Sequence, residues 1–180
     1  TANADLASIC QIGIVAFSAG SVVGRWQSLV NPEDYFDATN TLIHGITEDA
    51  VRGGPVYPAL SEEVRRMLGQ KVVVTHTVFD QMALSRVAEK YQLAGVECRW
   101  LDTVRVARRA WPQFRTSGYG LANLAKVFGI GFRHHEAQED ARVAGELLLR
   151  AVADTGIPLD DWLTRAYQPI PGTGSRITSR

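Results

Sequence analysis

The sequence predicts an α/β domain with a mixed sheet, and three observations carry that expectation. The chain opens with two runs of strand formers around a tight turn. It continues with short apolar runs that alternate with amphipathic helical patterns. Its composition, 46% apolar and 21% charged, is that of an ordinary globular protein. A length of 180 residues suits one domain with a sizeable core. Nineteen Lys and Arg balance nineteen Asp and Glu. Any contact with nucleic acid must therefore come from a local site rather than from global charge. No apolar run reaches membrane-span length and no signal peptide is visible, so no membrane partner is expected. Cys10 and Cys98 lack metal-ligand spacing and read as small, reduced core residues of a cytoplasmic protein.

The elements follow in order. Residues 9–17 and 21–30 are rich in strand formers and flank Ala19-Gly20, which predicts a hairpin. Residues 31–47 carry turn residues and little periodicity, and read as a loop. Thr47 followed by Glu48 and Asp49 is a helix start. Residues 57–68 form an amphipathic helix ended by Gly69. Residues 71–75, "KVVVT", read as a buried strand, 79–93 as a helix, 98–103 as a strand, and 104–110 as a short helix stopped by Trp111-Pro112. Leu121, Leu124, Ala125 and Phe128 mark another helix, closed by Gly129. Residues 134–150 form the last one. Residues 1–166 are expected to be the domain and 167–180 a mobile tail or linker.

Two acids break the apolar pattern. Asp140 shares a helical stripe with Ala137, Ala141, Ala144, Leu147 and Leu148; Asp80 shares one with Ala83, Leu84, Val87 and Tyr91. Taken singly, each acid is accounted for by capping or by the helix dipole. Two acids with matching placement point to a shared site, and a divalent metal is the usual remedy for carboxylates brought together. His135 stands five residues before Asp140. On a continuous helix that step separates side chains by about 140°. The two converge only if His135 lies in a loop and Asp140 in the first helical turn. A neutral imidazole there suits general-base work on water. His134 has no evident partner, and solvent exposure is its default.

These residues resemble a known family. "HHEAQEDA" looks like the last motif of the DEDDh 3′–5′ exonucleases, histidine, four residues, aspartate. "HTVFDQMAL" resembles their second motif, and "NTLIHGIT" is similar to the loop that packs on the terminal nucleotide. "LDTVRVARRAWP" and "YGLANLAKVFGI" match the strand and helix before the last motif. This is the family of the proofreading epsilon subunit of bacterial DNA polymerase III and of ribonuclease T. The likeness spans residues 1–153.

The resemblance implies an RNase H-like exonuclease fold with a mixed five-stranded sheet flanked by helices. It implies a metal-dependent 3′–5′ exonuclease that releases nucleoside monophosphates from 3′ ends of single-stranded DNA or RNA, DNA ahead of RNA. Two divalent ions, Mg²⁺ or Mn²⁺, would be held with the help of Asp80 and Asp140, about 4 Å apart. His135 would be the general base. Thr1, His44, Gly45 and Phe79 would hold the last nucleotide. A DNA polymerase or another repair or replication protein would be the partner. One departure stands out. The family's first motif supplies an Asp and a Glu one residue apart on the central strand. Thr1, Ala2 and Asn3 resemble the residues just after it, so that strand and its Asp-x-Glu are expected upstream of residue 1. A rival reading is an inactive nucleic-acid or protein-interaction module that keeps the fold.

Overall fold

The computed structural model describes residues 1–170. The tail expected at 167–180 falls outside the described residues from 171 onward. The hairpin forms as the sequence dictates: β1, Gln11–Ser18, pairs antiparallel with β2, Ser21–Leu29. Ala19 and Gly20 both take positive φ, 48° and 80°, the conformation that matches a two-residue turn to the twist of its strands. β3, Val72–Thr75, pairs parallel with β4, Arg99–Asp102. The crossover between them is α4, Phe79–Lys90.

The remaining helices cover these pairs. Asp37 caps α1, Ala38–His44, by accepting from the N–H groups of Thr39 and Asn40. This helix lies inside the segment read as a loop. It escapes periodicity because it buries none of its residues. α2, Glu48–Val51, starts at the Thr47 cap and α3, Tyr57–Leu68, runs to Gly69. α5, Thr103–Ala110, follows β4 directly. A 3₁₀ turn at Pro112–Arg115 leads to α6, Leu121–Val127. α7, Ala137–Thr155, is the longest helix described, and α8, Leu159–Arg165, was not anticipated.

Two cores result. Tyr57, Val64 and Leu68 of α3 and Ala83 and Val87 of α4 pack with Ile9, Ile12 and Val30 around the hairpin. Leu101, Val106, Leu124, Leu147, Leu148 and Trp162 fill the second, between β4 and helices α5 to α8. α7 spans the molecule, packing on β1, β2 and β3. Its approach to β1 is close enough that a Cβ at Gly13 would overlap the backbone of Ala137 and Gln138. This is why a strand interior carries glycine there.

The sheet differs from the five-stranded expectation. Among the described residues there are four strands in two separate pairs, and no ladder joins the hairpin to β3. The central strand is the one expected upstream of Thr1, and residues 1–8 do not take its place. Residues 1–8 fold back as a loop, with Ala2 N–H on Ser8 O at 2.7 Å and Ser8 N–H on Asp5 O at 3.0 Å, and supply no strand.

Candidate active site

The site forms where β3 and β4 end, the edge at which parallel α/β sheets place their ligands. After Thr75 the chain turns through Thr77, whose φ is 91°. Thr77 N–H donates to Asp102 Oδ1 at 3.2 Å, and its hydroxyl accepts from Phe79 N–H at 3.2 Å. Asp102, buried at the end of β4, also caps α5 through Val104 N–H at 2.8 Å. These bonds fix the start of α4 and set Asp80 in its first turn. His76 locks the neighbouring connections. Its Nε2 donates to Tyr119 O at 2.9 Å, and its Nδ1 lies 2.8 Å from the Thr103 hydroxyl. Burial holds this imidazole below its ordinary pKa, against the pull of Tyr119 O, Asp102 and Asp140.

α7 brings the second acid. Glu136 caps the helix by accepting from Gln138 and Glu139 N–H, so the helix begins at Ala137, and His134 and His135 stand in the turn before it. Arg142 pins that turn by donating to Gly131 O at 2.8 Å, while Glu139 and Glu146 hold its guanidinium. The structure therefore places His135 in a loop and Asp140 in the first turn of α7. Their contact is not ring to carboxylate. With φ at 70°, His135 turns its backbone N–H onto Asp140, 3.3 Å from Oδ1 and 3.2 Å from Oδ2. The ring on Asp140 is that of His134, with Nδ1 3.0 Å from Oδ1. The two imidazoles stack at 3.8 Å between centroids. His134, read as partnerless, is thus a correction. A six-residue step from a loop to a helix has no periodicity to reveal it, and only the His-His doublet hinted at it.

The electrostatics tie the cleft together. Burial raises the Asp80 carboxyl to about 6, opposed by a backbone hydrogen bond and reinforced by the charge of Asp140. Asp80 itself is exposed in the first turn of α4, just after the end of β3. Burial, together with His134, holds the His135 imidazole below its ordinary pKa, against Asp140. It is neutral and able to accept a proton at neutral pH.

Thr1, His44 and Gly45 come together on one side of this cleft. His44 Nδ1 accepts from Ile46 N–H at 3.0 Å, so its proton is on Nε2, 3.1 Å from Thr1 O. Asn40 Nδ2 donates to Thr1 O and Asn3 O, each at 3.1 Å. Gly45 ends α1 at φ 73°. Burial lowers the His44 pKa, against the pull of the Thr1 carbonyl, with a smaller contribution from the charge of His135. Phe79, 45% exposed, precedes Asp80, and Leu42, 86% exposed, crowns α1.

The donor set fits a divalent cation. Asp80 and Asp140 repel each other across the cleft, and oxygen ligands of this kind suit Mg²⁺ or Mn²⁺. His134, His135 and Asp140 also bring one ligand atom each within 4.8 Å of one another. Two acids and a histidine thus lie near the C-terminal ends of a parallel pair, a set of groups that suits metal-assisted hydrolysis.

Comparison with known proteins gives the family. Residues 2–148 match the exonuclease family that includes ribonuclease T, and the chain belongs to it. It is 28% identical over 142 residues to a PolC-type DNA polymerase III of Streptococcus pneumoniae serotype 2, covering 78% of this chain. It is 30% identical over 150 residues to that of Halalkalibacterium halodurans, covering 81%. The chain spans about 10% of the length of either polymerase. Exonuclease X, solved with 5′-overhanging duplex DNA, shares the fold at TM-score 0.68 and 23% identity, over 87% of this chain and 90% of that one. The nuclease domain of 3′hExo, a DEDDh family member bound to rAMP, does so at TM-score 0.68 and 16% identity, over 81% of each chain. The fold is the RNase H-like exonuclease fold, and the family is one of phosphodiester hydrolases.

Proposed function

We propose that the protein is a metal-dependent 3′–5′ exonuclease that removes nucleoside monophosphates from the 3′ ends of single strands. What supports this is that His134 and the His135 backbone hold Asp140 in the first turn of α7, that the charge of Asp140 bears on Asp80, and that the chain belongs to the exonuclease family. DNA is proposed ahead of RNA because the sequence relatives are DNA polymerases. A polymerase or another replication or repair protein is the proposed partner, in the cytoplasm. No described helix is long and apolar enough to cross a membrane.

Asp80 and Asp140 would hold the metal ions, which supply an activated water and charge stabilisation at the leaving oxygen. The protein's own residues do the rest. His135 accepts the proton of the attacking water. The bonds from His134 and the His135 backbone keep Asp140 oriented toward the cleft. His44, Gly45, Phe79 and the Thr1 backbone receive the terminal nucleotide. The 180 residues carry two of the family's four acids, so the expected level of turnover is low without an Asp-x-Glu strand. The test is digestion of 3′-labelled single-stranded DNA and RNA with Mg²⁺ or Mn²⁺ and with a chelator, comparing this chain with one preceded by such a strand. Chelator-sensitive release of mononucleotides by the extended chain is expected. Strand binding without any release by either chain would favour the inactive module instead.

A further inference from the structure

Three arginines occupy one face of α5, at positions i, i+3 and i+4: Arg105, Arg108 and Arg109. Arg105 and Arg108 are exposed and Arg109 is half-buried. A single acid answers the group, Asp102 Oδ2, 3.6 Å from Arg105 Nε. Among the described residues Arg108 and Arg109 have no acidic partner. Arg109 is structural, donating to the carbonyls of Arg105 and Gln168. The two exposed guanidinium groups lie over aromatic faces, Arg105 5.0 Å from the Tyr167 ring centre and Arg108 5.9 Å from that of Tyr119. Both tyrosines are tethered by their hydroxyls, Tyr167 to Trp100 O at 3.2 Å and Tyr119 to Trp111 O at 3.1 Å. Each exposed guanidinium therefore lies over a ring whose hydroxyl is hydrogen-bonded to the backbone.

This face is joined to the cleft. Tyr119, under Arg108, takes the hydrogen bond of His76 through its carbonyl. Asp102, beside Arg105, takes that of Thr77, which sets the start of α4 and Asp80. Two bonds thus link the arginine pair to the floor of the active site.

We propose that Arg105 and Arg108, backed by Tyr167 and Tyr119, form a phosphate-binding track for the nucleic-acid strand that trails behind the 3′ end held in the cleft. This rests on the exonuclease reading above. Two fixed guanidinium groups one helical turn apart suit successive phosphodiesters, which they can grip in a bidentate manner. The exposed face of Tyr167 offers a base a stacking surface. The chain has no net charge to attract a polyanion, so two exposed arginines answered by a single partly exposed ion pair to Asp102 supply the attraction locally.

The experiment measures fluorescence anisotropy of 5′-labelled oligodeoxynucleotides in chelator, where cleavage plays no part. On this proposal a trinucleotide stays within the cleft, whereas a dodecanucleotide extends onto α5. For the double variant Arg105→Ala/Arg108→Ala, affinity for the longer strand should fall about tenfold and the log–log salt slope should shrink by about 1.4, two single-strand phosphate contacts. Trinucleotide affinity should not change, and Arg105→Lys/Arg108→Lys should restore most of the salt slope. The thermal midpoint of each variant checks the fold. Equal loss for both lengths, or no loss, overturns the track and leaves the cleft reading standing. Failure of the unsubstituted chain to bind either oligonucleotide overturns both.

Discussion

At the residue scale, Asp140 is held by the His134 ring and by the His135 backbone, which leaves the His135 ring uncommitted to it. That division fits a base that touches water rather than metal. In a chain that turns over, His135→Ala should cut turnover by about 10²- to 10⁴-fold, the usual span for a general base. Isothermal titration with Mn²⁺ should show metal binding unchanged; near-normal turnover at neutral pH would remove His135 from the role. Asp80 gives a second prediction, through pH. Its carboxyl is raised from 3.8 to about 6 on folding, so the folded state keeps a proton that the unfolded state has lost. Below about pH 4 the group is neutral in both states. Between about 4 and 6 the folded form becomes progressively less favourable, and above 6 the penalty is constant. Asp80→Asn should therefore raise the metal-free melting midpoint at pH 7 and flatten its dependence across that window. An unchanged pH profile would show that Asp80 ionises freely. The two acids stand out in the sequence because each interrupts an apolar stripe, and His135 because of its five-residue step to Asp140. His134 was not, since its partner is reached by a turn at positive φ that leaves no spacing rule.

At the element scale, long periodic segments were legible and short exposed ones were not. α3, α4 and α7 each bury a stripe, and their patterns show it. α1 buries nothing and depends on the Asp37 cap and Gly45, signals that also describe a turn. α8 is anchored mainly by one buried side chain, Trp162, too few points for a period. The contact of α7 with β1 was also invisible, because two glycines produce it from opposite sides. At Gly13 an added Cβ would meet the backbone of Ala137 and Gln138; at Gly145 it would meet the tip of the Phe17 ring. A ring can rotate aside, whereas a helix backbone must move as a unit and would carry Asp140 with it. Gly13→Ala should cost at least the roughly 1–3 kcal/mol typical of overpacking, and Gly145→Ala less, since alanine recovers about 1 kcal/mol of helix propensity. Urea unfolding midpoints of the two variants decide it. Equal or reversed losses would mean that α7 can shift off β1 at little cost.

At the scale of the whole molecule, the α/β class with a mixed sheet was legible from the hairpin and the alternation that follows it, while the register of each strand pair was not, because register is set by pairing rather than by any one run. Two strand pairs stand without a ladder between them among the described residues, and α7 is the element that packs on both. The same break has a chemical side. Asp80 and Asp140 are the two acids proposed as metal ligands from the recognised motifs, and few carboxylates hold Mg²⁺ weakly and leave it mostly hydrated. In-line attack needs both ions placed to stabilise the attacking and leaving oxygens together. A strand carrying Asp-x-Glu between the pairs would satisfy the open backbone groups on either side and add the missing ligands in one step. Two readouts should then move together when such a strand precedes Thr1: metal-dependent turnover should appear, and the urea midpoint should rise. The 180-residue chain alone should show little chelator-sensitive digestion of single-stranded DNA or RNA. Measured side by side at matched Mn²⁺, a gain in stability without turnover would separate the sheet from the metal site. Robust digestion by the shorter chain would place the ions on ligands other than these two acids.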